Sequence, residues 1–449
     1  MELLEQIKNA GIVGCGGAGF PTHAKLNCKV DILIVNGAEC EPLLRTDRWL
    51  MRHKARQIVT AAGLCGDAVG AGQVYIALKA HYEKAIDALE EAIRKTGSRV
   101  RLFRLQNFYP AGDEQALVLE VTGRTVPPAG IPLDVGAVVS NVATMCAIYD
   151  ASRDEGFTQK YLTVTGEVAQ PTIVRIPLGA SFEACIAAAG GTALEDYYVL
   201  CGGPMMGKLY TREEARNQVV TKTTSGLVVL PPDIPLVQQR ETPLRTILRR
   251  AKTSCIQCSQ CTELCPRHLS GHPLKPHKIM RKLAYAQDVS EVLEDFDVRQ
   301  AQICSECGVC EVYACPMGLQ PRQVNAYVKG ELAKAGMRYS RTGEGWQAME
   351  QRAWRKAPSR RMAVRLGVER YYDYEIDTLA TPEVSRVRLP LKQHIGAPSV
   401  PLVEVGDTVS RGQRIAACPD GALGANLCAS MDGVVIAVDD AITIERGNG

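Results

Sequence analysis

Apolar and polar positions along the chain change period several times, and each change marks an expected element. Leu3, Leu4 and Ile7 share one face of a helix over residues 2–10. Val30–Asn36 is an apolar run of strand length, and Gln73–Leu78 is another. An amphipathic helix follows near Tyr82–Arg94, then a strand at Arg99–Gln106 and a helix at Glu114–Val121. A strand at Ala137–Val142 runs into a helix from Ala143. Strands alternating with helices predict an α/β layer on a largely parallel sheet. In such sheets ligands sit at the carboxyl ends of strands. Those ends carry Asn36, Glu39, Glu41 and Asn141, with the loop from Tyr109 to Glu114 nearby.

The period then shifts to two. Tyr161–Val168 and Thr172–Ile176 alternate and predict a hairpin, followed by a helix at Ser181–Ala189. The strand-like run Tyr197–Cys201 enters a glycine loop, Gly202-Gly203-Pro204-Met205-Met206-Gly207, expected to pack on the first domain. Pro231–Pro235 reads as a linker. Lys275–Ala286, Asp288–Gln302 and residues 323–337 read as helices. Residues 338–385, rich in arginine and aromatic residues, form a connector. Its basic segment Arg355–Arg361 is expected mainly as a solvated face, with an acidic redox partner as the alternative. Short strands with Gly-Asp and Asp-Gly turns from Val387 onward suggest a small sandwich. The expected modules are 1–155, 156–235, 240–337, 338–385 and 386–449.

Composition narrows the class. With 449 residues, 46% hydrophobic and 22% charged, the chain reads as a soluble globular protein of several domains. A net charge of +3 points to neither nucleic acid nor an acidic membrane. No apolar run is long enough to span a bilayer, and the start of the chain lacks the pattern of a signal peptide. Seventeen cysteines without such a signal imply a reducing cytoplasm rather than a disulfide framework.

Eight of those cysteines fall into two runs. The first is Cys255-x2-Cys258-x2-Cys261-x3-Cys265-Pro266, and the second is Cys304-x2-Cys307-x2-Cys310-x4-Cys315-Pro316. Three thiolates two residues apart can wrap one [4Fe–4S] cube, while a fourth followed by proline reaches across to the other cube in two-cluster ferredoxins. Cluster I is therefore assigned to Cys255, Cys258, Cys261 and Cys315, and cluster II to Cys304, Cys307, Cys310 and Cys265. The longer gap before Cys315 departs from the usual spacing. Paired C-x2-C would also suit zinc, but zinc does not explain two triplets each trailed by Cys-Pro. His268, His272 and His277 lie between the runs and are not needed as ligands. Two clusters in one chain mean electron transfer.

Near the start, Gly14-Cys15-Gly16-Gly17-Ala18-Gly19-Phe20-Pro21-Thr22 contains G-x-G-x-x-G, yet a helix rather than a strand precedes it. A standard dinucleotide turn is therefore not expected. Backbone N–H groups open to a planar or phosphorylated ligand are expected instead, with a plain tight loop as the alternative.

This loop and Asn36-Gly37-Ala38-Glu39-Cys40-Glu41-Pro42 resemble the NADH-binding flavoprotein subunit of respiratory complex I. Tyr109-Pro110-Ala111-Gly112-Asp113-Glu114-Gln115 and Asn141-Val142-Ala143-Thr144 resemble the RnfC component of the Rnf electron-transport complex. The resemblance covers essentially the whole chain. It implies a Rossmann-like FMN/NADH domain, a soluble-ligand-binding β-grasp (SLBB) domain, an α-helical ferredoxin domain with two cluster motifs, and a C-terminal barrel-sandwich hybrid. By it, Gly14, Gly16, Gly17, Gly19 and Lys25 line the flavin. Asn36, Glu39 and Glu41 contact flavin or nicotinamide, and Asp113, Glu114, Asn141 and Thr144 close the pocket. One position departs: the complex I pattern is acidic where this chain has Ala38. No lysine stands in the hairpin Ala425–Asp432, so no lipoyl or biotinyl attachment is expected.

The barrel-sandwich module closes the chain, an order that resembles the cobalamin reductases of bacterial propanediol utilisation. The resemblance then implies electrons passing from NADH through FMN and two [4Fe–4S] clusters to cob(II)alamin, giving cob(I)alamin for an adenosyltransferase. The expected setting is the cytoplasm, inside or beside a bacterial microcompartment whose shell is a further partner. No D-x-H-x-x-G motif is present, so cobalamin is expected on the partner. The alternatives are an Rnf-type protein with another acceptor and a non-enzymatic electron relay.

Overall fold

The computed structural model describes residues 2–341 and 343–447. Met1, Thr342, Asn448 and Gly449, which the expected module bounds include, lie outside the described residues.

Four strands, β1 (Ile32–Gly37), β2 (Gln73–Lys79), β3 (Arg101–Leu105) and β4 (Ala137–Asn141), form an all-parallel sheet in the order β3-β2-β1-β4. Ile32, Leu33, Ile34 and Val35 are all buried, as strands covered on both faces require. Helices α1 (Leu3–Asn9), α2 (Thr46–His53), α3 (Ala55–Ala68), α4 (Glu83–Thr96), α5 (Glu114–Thr122) and α6 (Val142–Ala151) accompany it. The chain runs from β1 to β2 and β3 on one side, then returns to the other side for β4. The crevice between the carboxyl ends of β1 and β4 is thus a topological switch point. Asn36 and Asn141 are register partners there. Leu3, Leu4 and Ile7 of α1 pack against the core of this layer.

The second sheet has the order β10-β6-β5-β9-β7-β8. It contains the expected hairpin, β5 (Gln159–Gly166) with β6 (Thr172–Pro177), together with β7 (Tyr198–Cys201), β8 (Lys208–Thr211) and β9 (Gly226–Leu230). Its outer strand, β10 (Leu379–Ala380), comes from the connector and lies parallel to β6. Ser181 caps α7 (Phe182–Ala188) by accepting the Ala184 N–H.

The cysteine-bearing region is helical, built on α8 (Leu244–Ser254), α9 (Pro276–Tyr285) and α10 (Pro321–Lys334). The continuous helix expected over Asp288–Gln302 is not formed. Asp288 accepts the Ser290 N–H, and Asp295 accepts those of Asp297 and Val298, so each aspartate starts a new short turn. The C-terminal module has two sheets. One pairs β11 (Arg386–Pro390), β17 (Ala441–Glu445), β16 (Gly433–Val438) and β13 (Thr408–Val409). The other pairs β12 (Val400–Pro401), β14 (Arg414–Ala417) and β15 (Leu427–Cys428).

The basic segment of the connector is solvated only in part: Arg360 and Arg361 are exposed, while Arg355 and Lys356 are held against other modules. Lys356 reaches Glu120 at 3.0 Å and sits 4.6 Å from the centre of the Phe108 ring. Arg352 also pairs with Glu120, at 2.5 Å, and Arg355 pairs with Glu263. Arg360 pairs with Glu369 and Asp373. Arg352 and Lys356 clamp the connector onto the first module and Arg355 clamps it onto the third, while the pairs of Arg360 stay within the connector. Among the described residues, no helix is long and apolar enough to cross a membrane.

Candidate functional site

A pocket of about 900 Å³ opens at the β1/β4 switch point. Asn36 donates to the Gly112 carbonyl at 2.9 Å and accepts the Ala38 N–H at 3.1 Å, tying the end of β1 to the Tyr109–Glu114 loop. Asn141 caps α6 by accepting the Ala143 N–H at 2.8 Å, and its amide donates to Asp47 at 2.8 Å. The Thr144 hydroxyl accepts the Cys15 N–H at 3.0 Å and so holds the glycine loop against α6.

The glycines have separate jobs. Gly14 donates to the Phe20 carbonyl at 2.9 Å and closes the loop. Gly16 lines the pocket, and a Cβ there would lie 2.9 Å from the Asn141 side chain. Gly17 is exposed, with nothing within 4 Å of its would-be Cβ. Gly19, at φ +73°, packs against Thr223 and His394 rather than the pocket. Lys25 and Glu114 pair with each other at 2.6 Å, away from the pocket wall. A flat, phosphate-bearing group such as FMN fits this arrangement. The backbone at Gly16 and Gly17 carries no side chain, and the start of α6 is adjacent.

The carboxylates at this corner are bound by the protein itself. Glu39, at φ +39°, accepts the Asp47 N–H at 2.7 Å and pairs with Arg48 at 3.1 Å, so it holds the first turn of α2. Glu41 accepts the N–H groups of Met205 and Met206 at 2.8 and 2.9 Å. The second module's glycine loop therefore packs on the first domain through a buried carboxyl, whose pKa burial pushes up to about 7. Asp47, not foreseen from the sequence, also lines the pocket; burial and then the charge of Glu39 raise it to about 7. Its only signal along the chain is its place at the start of α2. The buried Lys160, likewise unforeseen, reaches into the same pocket from β5 and donates to the Lys222 carbonyl at 2.8 Å.

The eight cysteines gather as two fours. Cys255, Cys258 and Cys315 face Cys261, whose thiol is pushed up to about 12 by burial and then by those neighbours. Cys304, Cys307 and Cys265 face Cys310, where burial again raises the thiol pKa strongly. Thiols in such surroundings stay protonated until iron supplies positive charge. The two runs also fold alike. Gln257 and Ser259 in the first, and Glu306 and Gly308 in the second, hold positive φ at matching positions. This geometry turns successive N–H groups toward one point. The Glu306 N–H lies 3.4 Å from the Cys304 sulfur and the Leu319 N–H 3.3 Å from that of Cys315. Both fours fit cubane clusters in donor type and number. Among the described residues, no three His, Cys, Asp or Glu side chains converge closely enough to hold a single metal ion. His272 bonds the Val126 carbonyl at 2.8 Å and His277 the Thr262 hydroxyl at 2.7 Å.

The two sites meet. Ser305 and Cys307, from the second run, line the same pocket as Gly16, Asn36 and Asn141. Tyr109 donates to the Cys307 carbonyl at 2.8 Å. Asp113 does not face the pocket with a free carboxylate; it caps α5 and is gripped by Arg267 at 2.6 and 2.9 Å. Arg267 stands two residues after Cys265, so one buried ion pair joins the pocket loop to a cysteine of the second four.

Family models match four stretches: a Nuo51 FMN-binding domain over 7–150, an SLBB domain over 161–209, a 4Fe-4S dicluster domain over 254–320, and an RnfC barrel-sandwich hybrid domain over 370–448. The chain is 44% identical to cobalamin reductase PduS of Salmonella typhimurium, covering 99% of this chain and 97% of that one. It is 42% identical to the protein of the same name from Citrobacter freundii, covering 99% and 96%. It is 37% identical to the C-subunit of the Na(+)-translocating ferredoxin:NAD(+) oxidoreductase complex of Acetobacterium woodii, over 59% of this chain and 58% of that one.

Proposed function

Because the chain belongs to the PduS cobalamin reductase family, we propose that it passes electrons from NADH through FMN and two [4Fe–4S] clusters to cobalamin. It is an oxidoreductase with an FMN-binding domain and a 4Fe-4S dicluster domain.

Bound FMN supplies the exchange between a hydride pair and single electrons that iron–sulfur centres need. The chain's part is to hold and orient. Gly16 and Gly17 offer backbone to the flavin, Asn36 and Asn141 fix the two strand ends beside it, and Thr144 braces the loop through Cys15. Glu39, Glu41 and Asp113 act through α2, the Met205–Met206 loop and Arg267, positioning the walls. Cys304, Cys307, Cys310 and Cys265 hold the cluster nearer the flavin; Cys255, Cys258, Cys261 and Cys315 hold the farther one. The acceptor is cob(II)alamin carried by a partner such as the adenosyltransferase, in the cytoplasm beside or inside a microcompartment. Family membership supports that acceptor and setting.

The observation that carries the electron route is the shared wall: Cys307 belongs both to a four-cysteine group and to the pocket at the switch point. The test is an anaerobic absorbance titration with NADH on protein reconstituted with FMN, iron and sulfide, followed by cob(II)alamin. Loss of the flavin bands and of the broad cluster absorbance is expected, then reoxidation on adding the corrinoid. Cofactors present yet unmoved by NADH would make the protein a relay fed by another donor.

A further inference from the structure

A second cleft, of about 1100 Å³, lies across the Glu39–Glu41 turn from the flavin pocket. It sits beyond the carboxyl ends of β1 and β2 and is walled by Tyr372–Ile376 of the connector. Nothing in the electron route uses it.

Two of its cations, Lys79 and Arg45, are buried with no ion pair among the described residues, whereas Arg48 and Arg360 are paired with carboxylates. Lys79 is 3% exposed, and among the described residues its ammonium meets only the Ser359 hydroxyl, at 3.4 Å. Arg45 is 8% exposed, and among the described residues its guanidinium donates to backbone carbonyls: Leu44 at 2.7 Å, Tyr374 at 3.3 Å, and Tyr372. Arg52 reaches Asp377 at 3.3 Å, yet its buried Nε–H has no partner. The carboxylates lining the cleft are largely committed: Glu39 to Arg48, Asp373 to Arg360, Glu375 to Lys84, and Glu41 to the Met205–Met206 loop. The positive field is felt by His81, held down to about 4 by burial and then by Lys79, Arg48 and Arg45.

Burying charge without a partner is costly, and a guanidinium fork beside an ammonium matches the several oxygens of a phosphate group. The tyrosines give the cleft an aromatic side for a ring attached to such a group. We propose that this cleft binds a phosphate-bearing ligand, with Lys79, Arg45 and Arg52 as its charge and donor set. Because the Glu39–Glu41 turn forms a wall of both cavities, occupancy here bears on the flavin corner without entering the flavin site.

The test is calorimetric titration of the FMN- and cluster-loaded protein with inorganic pyrophosphate and, separately, with ADP. Flavin in place keeps the probes off its own phosphate position. Saturable binding in the millimolar range or tighter is expected, weakening with ionic strength. Lys79→Met should weaken it about tenfold or more while flavin content stays unchanged. Arg360→Glu, at an exposed rim position, is a second variant with little risk to folding and should weaken binding by roughly threefold. Tighter binding of ADP than of pyrophosphate would assign a nucleotide, and equal binding would assign the phosphate alone. Absence of binding by both probes, or binding undiminished in both variants, would overturn the proposal.

Discussion

Gly16 and Arg267 show how much can rest on one side chain, or on its absence. A methyl group at Gly16 would collide with the Asn141 side chain at 2.9 Å, and that side chain both caps α6 and holds Asp47. Gly16→Ala should therefore leave the fold intact but lower flavin affinity about tenfold or more, ~1.4 kcal/mol. Flavin released per protein on denaturation measures this directly. Arg267→Met leaves Asp113 buried with no cation. Breaking a buried pair by removing one partner costs about 3–5 kcal/mol, so a clear drop in melting temperature is expected. Arg267→Lys should restore part of that stability but not the bidentate grip. Slower flavin-to-cluster electron transfer in that variant, at normal flavin content, would separate positioning from mere stability.

At the scale of elements, each cysteine run supplies three thiols to its own group and sends its Cys-Pro to the other. Crossing decides which of the two fours each Cys-Pro substitution removes. Cys265→Ser should remove the cluster nearer the flavin, so NADH would still bleach the flavin while the remaining cluster stays oxidised. Cys315→Ser should remove the farther cluster and leave the nearer one reducible. Electron paramagnetic resonance of NADH-reduced samples reads both outcomes, and the reverse result, with Cys315→Ser losing the nearer cluster and Cys265→Ser the farther one, would refute the crossed assignment. The elements themselves were largely legible. Parallel strands buried on both faces read as apolar runs, and α1 and α4 carry clear helical spacing. The region Asp288–Gln302 was not, because capping by Asp288 and Asp295 overrides a helical pattern of apolar residues.

Across the whole molecule the modules are stitched by buried polar groups. Lys222 is fully buried where three modules meet, donating to the carbonyls of Gly11 at 2.7 Å and Asn426 at 2.6 Å, with Cys15 and Cys428 nearby. Burial lowers its pKa from 10.5 to about 8. Below pH 8 both folded and unfolded states carry the proton, and the cost of burying the charge is fully present. Between about 8 and 10.5 the unfolded chain binds more protons, so this site's contribution to stability rises with pH by up to ~3 kcal/mol. Lys222→Met should abolish that rise; thermal melts between pH 7.5 and 10 on both proteins would show it, and parallel curves would refute it.

The sequence by itself determined the α/β layer, the modular order, the two cysteine runs and the glycine loop, because spacing and period follow from local geometry. Only the tertiary structure decided what the conspicuous charges do. Glu39, Glu41 and Asp113 look in sequence like ligand carboxylates at strand ends, yet each is taken by a helix start, a distant glycine loop or an arginine two residues beyond Cys265. The basic connector looks solvated throughout, yet Glu120 holds Arg352 and Lys356 in place while Arg360 and Arg361 stay exposed. Charges find partners through space, often hundreds of residues apart, and no period along the chain records which partner folding will bring.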